Sequence, residues 1–324
     1  MRLIYVFLFI NTLLSLSACY PASTDPALII SPVGTIQAVT TAPATISVTI
    51  IPITEEAFTP TLTRSPIRVT KTSEEVREFP MPVTQSLTIT VIYDNTLYDR
   101  RLNSAWGFSA LVEYRDHILL FDTGGDGQML MENMRILGID PTQLESVVLS
   151  HAHGDHTGGL STILQAGSRP VVYLLPSFPE SFKRQVSNTT EVIEVMPSLS
   201  IAEGVFTTGE MGRNIPEQAL VIQTDQGLVV ITGCAHPGII AILEQAREMC
   251  DEPVRLVLGG FHLGSKSKVE IVSILKDFRR IGVEQVAPCH CTGERAITMF
   301  AAEYGVDFIQ AGVGRVVRLE VAGR

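Results

Sequence analysis

From residue 87 onward the chain alternates short β-branched runs with amphipathic stretches. Apolar runs of four to seven residues predict strands over 87–93, 108–114 and 118–121. The stretch 128–137 carries its apolar side chains at helical spacing and stops at Gly138, a residue suited to closing a helix. A strand at 146–150, a helix at 159–165 and a strand at 171–174 follow. A second series then sets strands at 219–224, 228–232, 254–258 and 284–287 among helices at 239–249, 269–280 and 295–304. Two β-rich halves, each covered by helices, predict an α/β (α+β) fold: a four-layer αββα sandwich with strand ends and loops meeting along one edge. A doubly wound sheet fits less well, because the early strands form hairpins and no Gly-rich dinucleotide loop follows the first of them.

The pattern upstream is different. Arg2 precedes an apolar run over 3–16, broken only by Asn11, Thr12 and Ser15, and shorter than the ~20 residues a spanning helix needs. It reads as the core of a signal peptide. The run ends in Leu16-Ser17-Ala18-Cys19, which resembles the bacterial lipobox. That resemblance implies cleavage before Cys19 and diacylglycerol on its sulfur, hence an extracytoplasmic, membrane-anchored lipoprotein with 1–19 as its signal peptide. An uncleaved anchor or an ordinary secretory signal are the alternatives. The span 20–85 holds nine of the 18 prolines and, of the 25 glycines, only Gly34. Its repeated Thr and Pro favour extended chain, so it reads as a disordered tether, with a small β appendage around 45–53 as the competing reading. The span 86–324 is the globular domain.

Composition narrows the functional classes. With 45% hydrophobic and 18% charged residues among 324, the chain is neither wholly disordered nor a polytopic membrane protein. Lys and Arg total 24 against 34 Asp and Glu, a net charge of −10, so no nucleic-acid partner is expected. Five irregularly spaced cysteines do not make a disulfide scaffold.

Of the seven histidines, six follow predicted strands: His151, His153, His156, His236, His262 and His290; only His117 does not. Residues two apart on extended chain point the same way, so His151 and His153 can grip one cation. Asp155 and His156 then turn toward a second position, with Gly154 permitting a tight path. Neutral imidazoles and a carboxylate suit Zn(II) first, with Fe(II) and Mn(II) also compatible.

The segment His151-Ala152-His153-Gly154-Asp155-His156 resembles the signature of the metallo-β-lactamase superfamily, whose fold is the αββα sandwich. The resemblance implies that His151, His153 and His236 hold one divalent ion and Asp155, His156 and His290 a second. Asp122, in Leu120-Phe121-Asp122-Thr123-Gly124, would support the metal loop from behind. Trp106-Gly107-Phe108-Ser109, Gly233-Cys234-Ala235-His236-Pro237-Gly238, Gly259-Gly260-Phe261-His262-Leu263 and Pro288-Cys289-His290-Cys291-Thr292-Gly293 occur in that order. Together they resemble the subfamily that includes the archaeal dihydropterin ribofuranosylaminobenzene phosphate synthase. One departure stands out. Much of the superfamily bridges its metals with an aspartate on the strand between the last two histidines, whereas here 256–262 contains no carboxylate. His262 is the coordinating side chain available there; it can ligate, donate to substrate, or merely cap a Gly-rich turn.

These features predict a metallohydrolase in which Asp155 ligates metal and orients water and His262 stabilises or protonates the reacting group. Its substrate would be a small ester, amide or phosphoester, with anionic groups favoured by the missing bridging acid. Synthase-like pterin chemistry and a non-catalytic metal- or ligand-binding surface lipoprotein are the other readings. Cys234 has the spacing of a ligand pair with His236, but a core filler fits equally. Cys289 and Cys291 flank His290 and should point away from the metals if the backbone there is extended.

Overall fold

The computed structural model describes residues 85–321, so the signal peptide expected at 1–19 and the tether expected at 20–85, Gln85 excepted, lie outside the described residues. In chain order the strands are β1 (Gln85–Tyr93), β2 (Ser109–Tyr114), β3 (His117–Phe121), β4 (Ser146–Val148), β5 (Val171–Leu174), β6 (Val192–Glu194), β7 (Leu199–Ala202), β8 (Val205–Thr207), β9 (Leu220–Thr224), β10 (Gly227–Thr232), β11 (Val254–Gly260), β12 (Gln285–Cys289) and β13 (Val316–Val321). The helices are α1 (Gly127–Leu137), α2 (Gly154–Thr157), α3 (Leu160–Gln165), α4 (Glu180–Ser187), α5 (Ile239–Cys250), α6 (Lys268–Ile281) and α7 (Glu294–Tyr304). The strands form two mixed sheets, ordered β13-β1-β2-β3-β4-β5-β6 and β12-β11-β10-β9-β8-β7.

Strand alternation makes the layers. On β9, β10 and β11 the residues Leu220, Ile222, Val229, Ile231, Leu256 and Leu258 join the first sheet's Ile89, Val112 and Phe121 in one buried cluster. Their sequence neighbours Val221, Val230 and Val257 point the opposite way, into a second cluster with Ile242, Phe278 and Phe300 of α5, α6 and α7. Strands buried on both faces read as continuous apolar runs, and this is why β10 is buried along its whole length. Across the first sheet, Leu130 and Met134 of α1 and Ile163 of α3 pack as the fourth layer. Each of the predicted elements is present within a few residues. The Gly138 stop is a left-handed cap at φ 74°, and Asp126 caps the start of α1.

The sequence pattern missed α4, β6 to β8 and β13. Strands of three or four residues carry too little periodicity to be seen, whereas β13 has the readable alternation Val-Arg-Leu-Glu-Val and pairs antiparallel with β1, Leu87 opposite Leu319. Among the described residues no helix is long and apolar enough to cross a membrane.

Candidate metal centre

All six predicted ligands come from loops that leave the sheets along one edge. Beyond β4 the chain runs through Ser150 and His151 to His153, which caps α2: the His153 carbonyl accepts from His156 and Thr157 N–H. That single helical turn redirects Asp155 and His156. Gly154 is not the tight point, since a Cβ there would meet open space. The close approach is at Gly158, whose Cβ would lie 2.3 Å from the Gly125 carbonyl oxygen.

The ligand atoms fall into the two expected groups. His151, His153 and His236 bring one ligand atom each within 4.8 Å of the others, and so do Asp155, His156 and His290. The groups adjoin, the His151 and His156 ring centroids being 4.2 Å apart. His151, His156 and His290 are buried, Asp155 and His236 half-buried, and His153 exposed. Asp155 Oδ2 stands 3.6 Å from His156 Nε2 and 3.4 Å from His290 Nε2.

Polar groups behind the ligands set each tautomer. Asp122 is fully buried and holds a left-handed φ of 57° at the end of β3. Its carboxylate accepts from Ser150 N–H (2.7 Å), Ser150 Oγ–H (2.7 Å) and His156 Nδ1–H (2.7 Å). Having donated to Asp122, Ser150 Oγ accepts from His151 Nδ1–H at 2.9 Å. His236 Nδ1 donates to Glu217 Oε2 (2.8 Å) and His290 Nδ1 to Asn95 Oδ1 (3.1 Å). With Nδ1 committed, His151, His156, His236 and His290 each present an Nε2 lone pair, the arrangement that orients and strengthens metal-ligating histidine. His151 Nε2 meets His153 Nδ1 at 3.0 Å.

Protonation differs between the two groups: burial opposes charge on His156, but the buried Asp122 carboxylate raises that imidazole above its usual range, so a metal ion there would have to displace its Nε2 proton. Burial and the neighbouring His156 push His151 down to about 2, so it is a neutral ligand. Burial opposes charge on Asp155, yet the His290 and His156 imidazoles beside it hold its carboxyl well below the usual range. Burial would likewise raise Glu217, but the His236 hydrogen bond, the nearby His151 and backbone donors bring it down to about 2.

Sequence reasoning missed Glu217, Asp94 and Asn95. Glu217 accepts from Cys234 and Ala235 N–H at 2.8 Å each and from His236 N–H at 3.0 Å, holding the His236 loop in place. Asp94 accepts from His290 N–H at 2.9 Å. Asp94 and Asn95 directly follow β1, so the strand-end logic applied to the histidines would have found them; Glu217 carries no such signal.

The His262 ring lies 4.6 Å from the His236 ring, and its ligand atom groups with Cys234 and Cys291. Cys289 sits in the inter-sheet core. The expectation that Cys291 points away from the metals fails, because His290 is not extended. With φ at 49° it opens a 3-10 turn, His290–Thr292, that brings Cys291 back to the site. Nor is Cys234 a simple core filler: its Sγ is 3.4 Å from His156 Nε2. Hydrogen bonds with Cys234 and His262 hold the Cys291 thiol below its usual range against the effect of burial, while the same pairing and burial push the Cys234 thiol up.

The residues fit a divalent ion. His290 Nε2 is buried with no hydrogen-bond partner, and lone pairs from six side chains converge with few protons to share among them. An αββα sandwich with this ligand edge defines the class: the chain belongs to the metallo-β-lactamase superfamily, whose sequence profile matches residues 107–247. The fold is one that binds divalent metal. Among its relatives, the crystal structure of Tm1679, a metal-dependent hydrolase of the β-lactamase superfamily, is 34% identical; the match covers 73% of this chain and all of that one at TM-score 0.63. The 7,8-dihydropterin-6-methyl-4-(β-D-ribofuranosyl)-aminobenzene-5'-phosphate synthase of Methanocaldococcus jannaschii is 28% identical over 279 residues, 71% of this chain and 95% of the relative. The metallo-β-lactamase fold protein YhfI of Bacillus subtilis shares the fold at 18% identity and TM-score 0.56, covering 72% of this chain and 99% of that one.

Proposed function

We propose that the protein is a hydrolase that uses two divalent metal ions, one held by His151, His153 and His236 and the other by Asp155, His156 and His290, to cleave a small ester, amide or phosphoester. The observation that carries this reading is the adjoining pair of ligand groups, each with its donor atoms within 4.8 Å, on an edge reached through exposed His153. When bound, the ions supply an acidified water and polarise the oxygen that gains charge. Asp155 stays ionised and orients the attacking water by accepting its hydrogen bond. Asp122, Ser150 and Glu217 keep the imidazoles in register, so no reorganisation is needed during the reaction. A cavity of about 480 Å³ lies against His290 and is lined also by Trp106, Asn95, Glu294, Phe308 and Gln310, giving the substrate an apolar wall with polar ends. Trp106, with its ring centroid 4.9 Å from that of His290 and its side chain 62% exposed, is placed to stack on a planar group.

Zn(II) is the favoured ion, because the sites are rich in nitrogen and the nearby sulfurs are soft. A synthase-like reaction on a phosphorylated pterin is the second reading, supported by the similarity to the M. jannaschii enzyme along 95% of that enzyme's length. The test is metal analysis and turnover of the metal-loaded chain against esters, lactones and phosphodiesters. At least two ions per chain and turnover that His153→Ala abolishes are expected. Stoichiometric metal without turnover on any substrate, including the pterin, would mark a binding protein and overturn the reading.

We further propose that residues 20–85 tether the hydrolase outside the cytoplasm to a membrane through lipidated Cys19. Cys19→Ala should release the protein into the soluble fraction and change its electrophoretic mobility; an unchanged membrane fraction would refute the anchor.

A further inference from the structure

A second donor cluster, of different chemistry, adjoins the two histidine-rich groups. The sulfurs of Cys234 and Cys291 and a ring nitrogen of His262 lie within 4.8 Å of one another. Tetrahedral zinc with thiolate and imidazole ligands needs donors roughly 3.5–4 Å apart, a separation that small side-chain rotations reach. Each donor comes from a different loop, following β10, β11 and β12. Every one of these loops has a non-glycine residue in the left-handed region: Ala235 at φ 61°, His262 at 53° and His290 at 49°. Such conformations are sparsely populated and recur at functional sites. Here they curl the three loops toward a common point.

The end of β11 supplies an independent observation. A Cβ on Gly260 would lie 2.4 Å from the Gly233 carbonyl oxygen and 2.7 Å from Cys291 Sγ. Any side chain at this position would displace the sulfur. The side-chain-free strand end makes room for the thiol in a region where much of the superfamily carries an acid.

We infer that Cys234, His262 and Cys291 form a third cation site, selective for a thiophilic divalent ion such as Zn(II) or Cd(II). Two thiolates and an imidazole are a soft set that discriminates against Mg(II) and Ca(II). Two thiolate charges also neutralise one dication, so the third ion adds no net charge to a cluster already holding others. Cys234 Sγ, 3.4 Å from His156 Nε2, makes the site contiguous with the Asp155, His156 and His290 group. The inference goes beyond the hydrolytic centre and does not depend on it.

Co(II) is the probe. The full chain, stripped of metal and kept under a non-thiol reductant, is titrated while absorption is followed. Three equivalents should bind, one of them producing the intense sulfur-to-cobalt charge-transfer band in the near ultraviolet. Cys291→Ser and His262→Ala should each bind one equivalent fewer and lose or greatly weaken that band, while the weak d–d bands of the remaining two persist. Cd(II) should displace the sulfur-bound cobalt, whereas Mg(II) should not, and the third equivalent should protect Cys291 from alkylation by iodoacetamide. Thermal unfolding of the metal-free variants confirms folding, and His262→Ala carries the test if Cys291→Ser does not fold. Two equivalents with no thiolate band would overturn the inference. So would a thiolate band that survives Cys291→Ser, because Cys234 would then serve the group it also forms with His151 and His156, whose ligand atoms likewise lie within 4.8 Å of one another. Loss of the first two equivalents with the thiolate band retained would refute the hydrolytic centre and leave the third site standing.

Discussion

Asp155→Asn should lower kcat by about 10²–10⁴-fold, the range for removing a positioned general base, with the fold intact. The carboxylate is the one acidic ligand in the two groups, and its Oδ2 sits between His156 Nε2 and His290 Nε2 at 3.6 and 3.4 Å. Asparagine keeps the size of the side chain but removes the charge and turns one ligating oxygen into a donor. The backbone contact that braces the loop, from Phe108 N–H to the Asp155 carbonyl at 3.2 Å, is untouched. Loss should therefore appear in turnover and in retention of the ion at the second site, not in the melting temperature of the metal-free chain. Steady-state kinetics on the responding substrate, with metal analysis of the same samples, decides the matter. Activity within about threefold of the parent would remove Asp155 from the reaction.

Glu217→Gln should destabilise the metal-free domain by about 1.5–3 kcal/mol, the scale of losing hydrogen bonds to a buried charged group. The carboxylate is fully buried and accepts four hydrogen bonds, from the N–H groups of Cys234, Ala235 and His236 and from His236 Nδ1. Glutamine would aim its own NH₂ at two of those donors. Metal affinity of the His151, His153 and His236 group should fall as well, by about 10–100-fold. Acid stability carries a further signature. The Glu217 carboxyl is lowered from 4.5 to about 2 in the folded chain, so its contribution is complete above pH 4.5 and is lost as the pH falls through about 2. The parent should lose stability over that window, and the glutamine variant, lacking the group, should show a shallower slope there. Denaturant unfolding of metal-free protein between neutral and acid pH measures both effects. Equal stability and identical acid slopes would show that Glu217 is a spectator.

The ligand edge was legible in the sequence because its logic is local. Histidines at the ends of apolar runs must stand where strands leave the sheets, and two-residue spacing sets His151 and His153 on one side. The departure at β11 was legible too, since Gly259, Gly260 and His262 include no carboxylate. The role of Glu217 was not. Its neighbours in the chain show no periodicity, and its importance lies in partners 17 to 19 residues away that only folding brings together. Short strands such as β6 and β8 were invisible for a related reason, as three residues cannot show a period.

From the amino-acid order alone came the layered architecture, by alternation and capping, and His151 and His153 as a candidate pair, by their spacing; the full candidate ligand set and the supporting role expected of Asp122 came from the resemblance to the metallo-β-lactamase superfamily. Tertiary structure alone decided which nitrogen His156, His236 and His290 present, because that depends on Asp122, Glu217 and Asn95 arriving from separate elements. It also decided the placement of the sulfurs. A single left-handed residue, His290, reverses the direction of Cys291, and backbone torsion of that kind is set by the contacts around a turn rather than by the residue names along it.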